Sequence, residues 1–463
     1  MDGGEVSPRA DGMADGTIPH VIVVGGGIGG LVVARELAGS GIRVTLFEAS
    51  ARLGGKVHRH TVGGIELDAA AESFATRGGT VAELATELGL GGAIVTPTPR
   101  GAWLMQRSGV AVPLPKAGLL GIPSVPLARD VIAVVGLAGA LRAQLDSVML
   151  GFVGTKSRDL ATLVRRRMGR AVLDRLVSPV ATAIHSKDPS ELLLDVVAPK
   201  LRNAVLSSGS LAAAVLTLRG SAPAGSAVQG IDGGVVRLVD ALVADLDGRV
   251  DLVLDARVSD ADASGVTLAD GSRRSADHVV VATELGAPTG KPITLATLVL
   301  RASALDASPR GSGVIVASGA PTVRAKALTH ATAKWDWLAR EAAGAHVLRL
   351  SYERAPESDD ELREWARTDA ELLLGVALPP STVLDFDRQA WTGPGDPAEP
   401  IDRPAEGGDR GEAVDGRDAS GPTIVGERVS GAGLAGVIRS AKLGAVTVRT
   451  HLAGTIGLRL SDL

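Results

Sequence analysis

Six consecutive residues, Gly25-Gly26-Gly27-Ile28-Gly29-Gly30, satisfy the spacing G-x-G-x-x-G, and Glu48 stands 18 positions past the last of them. The chemistry this spacing allows is capture of a dinucleotide. Gly25 permits a tight turn, Gly27 lets a pyrophosphate approach the backbone, and Gly30 allows a helix and a strand to pack closely. A helix that opens after the turn offers free N–H groups and a partial positive charge to the phosphates. A carboxylate at Glu48 accepts hydrogen bonds from ribose hydroxyls and repels a 2′-phosphate, which disfavours NADP. In a chain with 59 glycines such a pattern is weak alone, and its context carries it. His20-Val-Ile-Val-Val24 is a β-branched run that stops at the glycines and reads as a buried parallel strand. Leu31–Ala38 reads as a helix ended by Gly41, and Val44–Glu48 as a second strand, which together begin a βαβ unit.

A dinucleotide turn does not choose between NAD and FAD. Arg52-Leu53-Gly54-Gly55-Lys56, directly after Glu48-Ala49, does. It resembles the R-x-G-G motif of the superfamily of FAD-containing amine oxidases and protoporphyrinogen oxidases. Arg52 can reach a pyrophosphate, and Gly54-Gly55 let the backbone lie close to the cofactor. Later segments are similar to the porphyrinogen oxidase branch, in order, over nearly the whole chain. Asp68-Ala-Ala70-Ala71-Glu72-Ser73-Phe74 stands where that branch has an acid, a Gly-Pro and a Ser-Phe pair against the flavin. Gly230–Leu238 resembles its glycine-led helix start, and Gly311–Val316 a strand near the substrate. Val258, in Ala256-Arg257-Val258, takes by resemblance a backbone contact with the adenine. Gly426-Glu427 and Gly431-Ala432-Gly433-Leu434 match the C-terminal flavin segment, where a helix N-terminus stabilises charge on reduced flavin.

The resemblance implies non-covalent FAD, held by Gly25, Gly26, Gly27, Ile28, Gly29 and Gly30, then by Glu48, Ala49, Arg52, Gly54, Gly55 and Lys56. It adds Ala70, Ala71, Glu72, Ser73, Val258, Trp391, Glu427, Ala432, Gly433 and Leu434. It also implies a porphyrinogen substrate in haem biosynthesis and O2 as the acceptor that leaves as peroxide. Six electrons would be removed in three rounds, from coproporphyrinogen III or from protoporphyrinogen IX. Two departures stand out: the Gly-Pro is Ala70-Ala71, and Gln389-Ala390-Trp391 replaces an Arg-Trp pair, with no later Pro-Gln-Tyr or Gly-His. Arg100, before Gly101-Ala-Trp103, is the candidate for a substrate carboxylate, followed by Arg77. Arg165-Arg166-Arg167 reads as a solvated helix face. His58 and His60 share one face of a strand without metal-ligand spacing, and His185 and His330 read as packed or exposed rings rather than proton acceptors. No catalytic base is nominated.

Composition sets the frame that positions these residues. At 463 residues two domains are expected. A net charge of −4 gives no reason to expect nucleic acid, and the absence of cysteine excludes disulfides, thiolate metal sites and a flavin tethered through sulfur, which suits a reducing cytoplasm. Residues 1–19 read as a disordered tail. The apolar run Val131–Leu141 is too short for the roughly 20 residues of a membrane crossing and reads as a buried helix, so any membrane contact is peripheral. The expected fold is α/β: a Rossmann-like FAD-binding domain assembled discontinuously from 20–100, 226–285 and 421–463. A mixed α+β substrate domain takes 101–225, with a helical insertion, and 286–420, of which 393–420 is an exposed loop. Other readings of the same scaffold are an amine oxidase or desaturase and a catalytically silent FAD-binding protein. With one tyrosine, four phenylalanines and five tryptophans, the aromatic cage of an amine oxidase is hard to build.

Overall fold

The computed structural model describes residues 18–456 except 77, 117, 186, 199, 220–227, 287–289, 394–420 and 432. The expected tail and acidic loop therefore fall almost wholly outside the described residues.

A parallel five-stranded sheet runs Asp251–Val253, Arg43–Phe47, His20–Val24, His278–Val281, Thr423–Ile424. Its inner strands His20–Val24 and His278–Val281 are apolar after their first residue because both faces are covered. Val21 and Val23 pack against the first helix, Ile28–Ala38, and the C-terminal helix, Leu434–Ile456. Ile22 and Val24 pack against a small antiparallel sheet of Val258–Asp262, Gly265–Leu268 and Arg273–Ser275. The fold is a Rossmann-like α/β unit whose strands come from the start, middle and end of the chain. The stretch 250–258 holds two strands, one ending at Val253 and the other starting at Val258, with Asp255 at φ 53° between them.

A second sheet has seven strands, in the order Val383–Thr392, Pro292–Leu300, His346–Tyr352, Ala327–His330, Gly313–Val316, Trp103–Met105, Ala111–Pro113. One face buries Leu298, Leu348, Leu350 and Tyr352 under the helix Asp359–Leu374. The other buries Val299 and Val347 against Val62, Ile65 and Leu67 of the hairpin Arg59–Val62/Ile65–Asp68.

Residues 129–219 form a helical insertion with its own core. Two expectations change here. The helix Arg129–Gln144 extends as a 3-10 turn to Val148, long and apolar enough by length and composition to cross a membrane, but Gly136 breaks it (φ 78°, ψ 162°). It is not wholly buried: Val131, Val134 and Val135 face the core, whereas Leu137, Leu141 and Leu145 are exposed. Nor are Arg165-Arg166-Arg167 all solvated. Arg165 and Arg166 are exposed, but Arg167 is fully buried in an ion pair with Asp146 and donates to the carbonyls of Val153 (3.0 Å) and Gly209 (2.8 Å). Helical spacing puts only two of three consecutive residues on the outer face.

Removing one member of a buried pair strands the other charge. Arg167→Ala is expected to destabilise the protein by about 3–5 kcal/mol. Arg165→Ala should stay within about 0.5 kcal/mol. Urea unfolding curves distinguish the two.

Candidate functional site

The strand His20–Val24 delivers the glycine turn to the sheet's C-terminal edge, and the first helix opens from Gly27, which supplies no side-chain cap. The first N–H groups of that helix are thus left for an anion. A Cβ on Gly30 would stand 1.8 Å from the Gly25 carbonyl oxygen, so helix and turn meet only because it is absent. A Cβ on Gly27 would meet nothing within 4 Å. Packing does not require glycine at Gly27. A phosphate at the helix N-terminus would.

Three remote segments close on this turn. Gly54 N–H donates to the Gly26 carbonyl (2.8 Å), and a Cβ on Gly55 would come within 3.3 Å of Gly27 Cα. Arg52, exposed, braces its own turn by donating to the Gly55 carbonyl (2.9 Å). Gly29 lies against Gly426, where a Cβ would be 3.6 Å from the Gly426 Cα, and Lys56 Nζ pairs with Glu427 Oε2 at 2.5 Å. The C-terminal helix begins just beyond, at Leu434 after Gly433, while Ala432 is outside the described residues.

Glu48 ends the second strand as the spacing requires. Its Oε2 accepts from Gly26 N–H (2.7 Å), and its Oε1 from Ser50 N–H (2.9 Å) and the Ser50 hydroxyl (2.7 Å). A carboxylate offers about four acceptor positions, so one remains for a ribose hydroxyl. Ala49 is exposed beside it, and Ala256 N–H donates to the Glu48 carbonyl (2.9 Å), which brings the chain leading to Val258 beside Glu48.

The other end is the loop 68–73. Asp68 caps the approach to the helix Arg237–Leu246, its carboxylate accepting from Val235 and Val236 N–H, both at 2.9 Å. Burial pushes it up to about 6, against the lowering by these N–H groups and by Arg349. Arg349 reaches across from the seven-stranded sheet. It donates to the carbonyls of Asp68 (2.8 Å), Ala69 (3.2 Å) and Ala70 (2.9 Å) and to Glu72 Oε2 (3.0 Å). Lys334 Nζ binds Glu72 Oε1 at 2.7 Å. Burial opposes the charge on Glu72, yet Lys334 and Arg349 hold it down at about 2. Neither Ala70 nor Ala71 has a positive φ, so the loop accepts alanine where the related motif has Gly-Pro. Ser73 follows, half-buried, before Phe74 enters the core.

Neighbouring groups extend the site. His58 Nδ1 lies 3.1 Å from the Gly55 carbonyl, and His60 Nδ1 2.7 Å from Asp387 Oδ2. Burial lowers the His60 pKa, partly offset by Asp387. Trp391, half-buried, is four residues further along the same edge strand as Asp387. Arg100 is exposed and donates to Ser308 Oγ (2.7 Å), in the loop that leads to the strand Gly313–Val316. Arg77 is outside the described residues. Sequence reasoning missed Arg349 and Lys334. Arg349 did leave a signal: a charge within the apolar strand His346–Tyr352.

These residues fit FAD. The glycine turn, Glu48 and the helix N-terminus would hold its ADP half, and the loop 68–73 with Gly426 and Glu427 would flank its flavin. When bound, FAD supplies two-electron acceptance, and the protein supplies position and exclusion of water.

Gly27→Val should fold normally, since the added side chain starts in open space, but should be colourless because the pyrophosphate can no longer approach. Circular dichroism and flavin absorbance on the same sample check this. The Glu72 contribution has a defined pH window. A carboxylate depressed in the folded state stabilises fully above its unfolded value near 4.5 and loses that contribution as pH falls toward 2. Flavin release, followed by fluorescence, should therefore begin below about pH 4.5 in the wild type. In Glu72→Gln, which leaves Lys334 and Arg349 without a counter-charge, it should occur already at neutral pH.

Residues 28–448 match the family model described as flavin containing amine oxidoreductase. The chain is 30% identical over 399 residues to the coproporphyrinogen III oxidase of Mycobacterium leprae, covering 80% of this chain and 86% of that protein. It is 28% identical over 206 residues to protoporphyrinogen oxidase 2 of Arabidopsis thaliana, covering 44% and 40%. A solved structure from Exiguobacterium sp. 255-15 shares the fold with TM-score 0.75 at 21% identity, covering 94% of this chain and 99% of that one. Cyclohexylamine oxidase from Brevibacterium oxydans shares it with TM-score 0.59 at 17% identity, covering 94% and 99%. With its glycine turn, acid-ended strand and R-x-G-G segment closed into one FAD cradle, the chain belongs to the flavin-containing amine oxidoreductase family.

Proposed function

We propose that the protein is an oxygen-using porphyrinogen oxidase of haem biosynthesis. It converts coproporphyrinogen III to coproporphyrin III by removing six electrons in three two-electron rounds, with O2 reduced to peroxide. The observation that carries this reading is the likeness along four-fifths of the chain to proteins named coproporphyrinogen III oxidase. Protoporphyrinogen IX is the second substrate considered. The additional propionates of coproporphyrinogen favour a site with an exposed guanidinium, and Arg100 is such a group.

The amine oxidase reading is disfavoured by one residue. Tyr352 is the only tyrosine, and it is fully buried on the opposite side of the seven-stranded sheet from Arg349, bonded to Asp369 at 3.2 Å. It cannot belong to an aromatic cage beside loop 68–73.

Purified protein, given each porphyrinogen under air, should produce fluorescent porphyrin and hydrogen peroxide, faster from coproporphyrinogen III. Porphyrin formation from neither would end this reading. Arg100→Ala should keep its flavin but raise KM and lower kcat/KM about tenfold or more. Arg100→Lys should recover part of the loss, since an ammonium attracts a carboxylate without its bidentate orientation.

A further inference from the structure

The first turn of the helix Ile28–Ala38, which would receive the pyrophosphate, is bordered by two distant pieces of chain. A Cβ on Gly55 would come within 3.3 Å of Gly27 Cα, and one on Gly29 within 3.6 Å of Gly426 Cα. The residues that follow these two bordering glycines carry opposite charges. Lys56 Nζ meets Glu427 Oε2 at 2.5 Å, across 371 residues of sequence. The pair closes the helix start, residues 55–56 and residues 426–427 into one ring.

The two arms of this ring are held differently. The Lys56 arm is braced along its length. Gly54 N–H donates to the Gly26 carbonyl (2.8 Å), Val57 N–H to the Gly54 carbonyl (3.0 Å) and Arg52 to the Gly55 carbonyl (2.9 Å), and Val57 is buried in the core. The Glu427 arm is a single helical turn, Glu427–Ser430, none of whose residues is buried. Its N–H bonds are its own: Val429 and Ser430 donate to the Gly426 carbonyl (3.1 and 3.0 Å), and Gly431 to the Glu427 carbonyl (2.9 Å). Among the described residues, the contact with Lys56 is the only ion pair or side-chain hydrogen bond from this turn to a distant segment.

Both ends of the turn can pivot. Gly426 has φ 87° and Gly431 φ 72°, values that glycine takes without a steric penalty. Gly426 is anchored on its inner side, where its N–H donates to Ser440 Oγ at 3.1 Å. Rotation about the Cα bonds of Gly426 carries its carbonyl along, so the turn keeps its internal bonds as it swings. Opening therefore breaks one ion pair, whose side chains are 39% and 33% exposed. An exposed pair of this kind favours the closed arrangement only about two- to fivefold.

We propose that Glu427–Ser430 is a lid hinged at Gly426 and Gly431, that the Lys56–Glu427 pair is its latch, and that FAD enters and leaves when the latch opens. The proposal concerns the cofactor and stands apart from the choice of substrate. Solvent reaches both charges, so salt loosens the latch, and cofactor exchange is set by ionic strength as well as by the fit of the cradle.

FAD release from the holoprotein, followed by flavin fluorescence, tests this without any substrate. Lys56→Met and Glu427→Gln should each speed release about two- to fivefold, and the double variant no further, because either change alone removes the whole pair. Added salt should speed release in the wild type more than in the double variant. Exchanging the charges, Lys56→Glu with Glu427→Lys, should restore the slow rate. Additive single effects overturn the latch. So does a charge-exchanged protein that stays fast, the result expected if Lys56 serves the phosphates directly. The natural chain has no cysteine, so Lys56→Cys with Glu427→Cys can be joined selectively by a short bismaleimide. The joined protein, loaded beforehand, should release FAD more slowly than the same protein unjoined, and equal rates overturn the lid.

Discussion

A guanidinium buried in a sheet has to be neutralised where it lies, and Arg349 is neutralised by the loop 68–73. Its strand belongs to the seven-stranded sheet, whereas the carbonyls of residues 68–70 and the carboxylate of Glu72 belong to the chain between the two sheets. Asp68, at the head of that loop, also caps the approach to the helix Arg237–Leu246. One cation therefore sets the position of the loop, of that helix and of one sheet against the other. Stranding a buried charge costs about 3–5 kcal/mol, a large share of a protein's whole stability. The loop cannot drift without exposing or unpairing Arg349, and this keeps the flavin side of the cradle fixed.

The ADP side is held by a different rule, that of missing side chains. Backbone lies on backbone where Gly27 meets Gly54 and Gly55, and where Gly29 meets Gly426. Such contacts release little hydrophobic energy. Their use is to let a phosphate approach helix N–H groups that a Cβ would cover. Glu48 is satisfied from within by Gly26 and Ser50, which aims its carboxylate before any ribose arrives.

The parts legible in the sequence are those that local rules determine. The βαβ start and Glu48 at its strand end follow from runs and turns of a few residues. Pro292–Leu300, central in the second sheet, was not legible because its apolar run is buried on both faces and begins with a proline, so no alternation marks it. Arg167 was misread because three consecutive arginines look alike in sequence, while the helix turns one of them onto Asp146. The long-range pairs Lys56–Glu427 and Glu72–Arg349 could not be read at all, because nothing near any one member names its partner.

The parallel sheet has an implication for time as well as space. Its fifth strand, Thr423–Ile424, and the helix that packs along the first one are made after the other four strands, and Glu427 follows its partner Lys56 by 371 residues. At about 5–20 residues per second, a ribosome needs roughly 20–75 seconds to cover that interval. Throughout it the glycine turn exists, but the wall that completes it does not. Cofactor loading therefore waits until this strand and helix have left the ribosome.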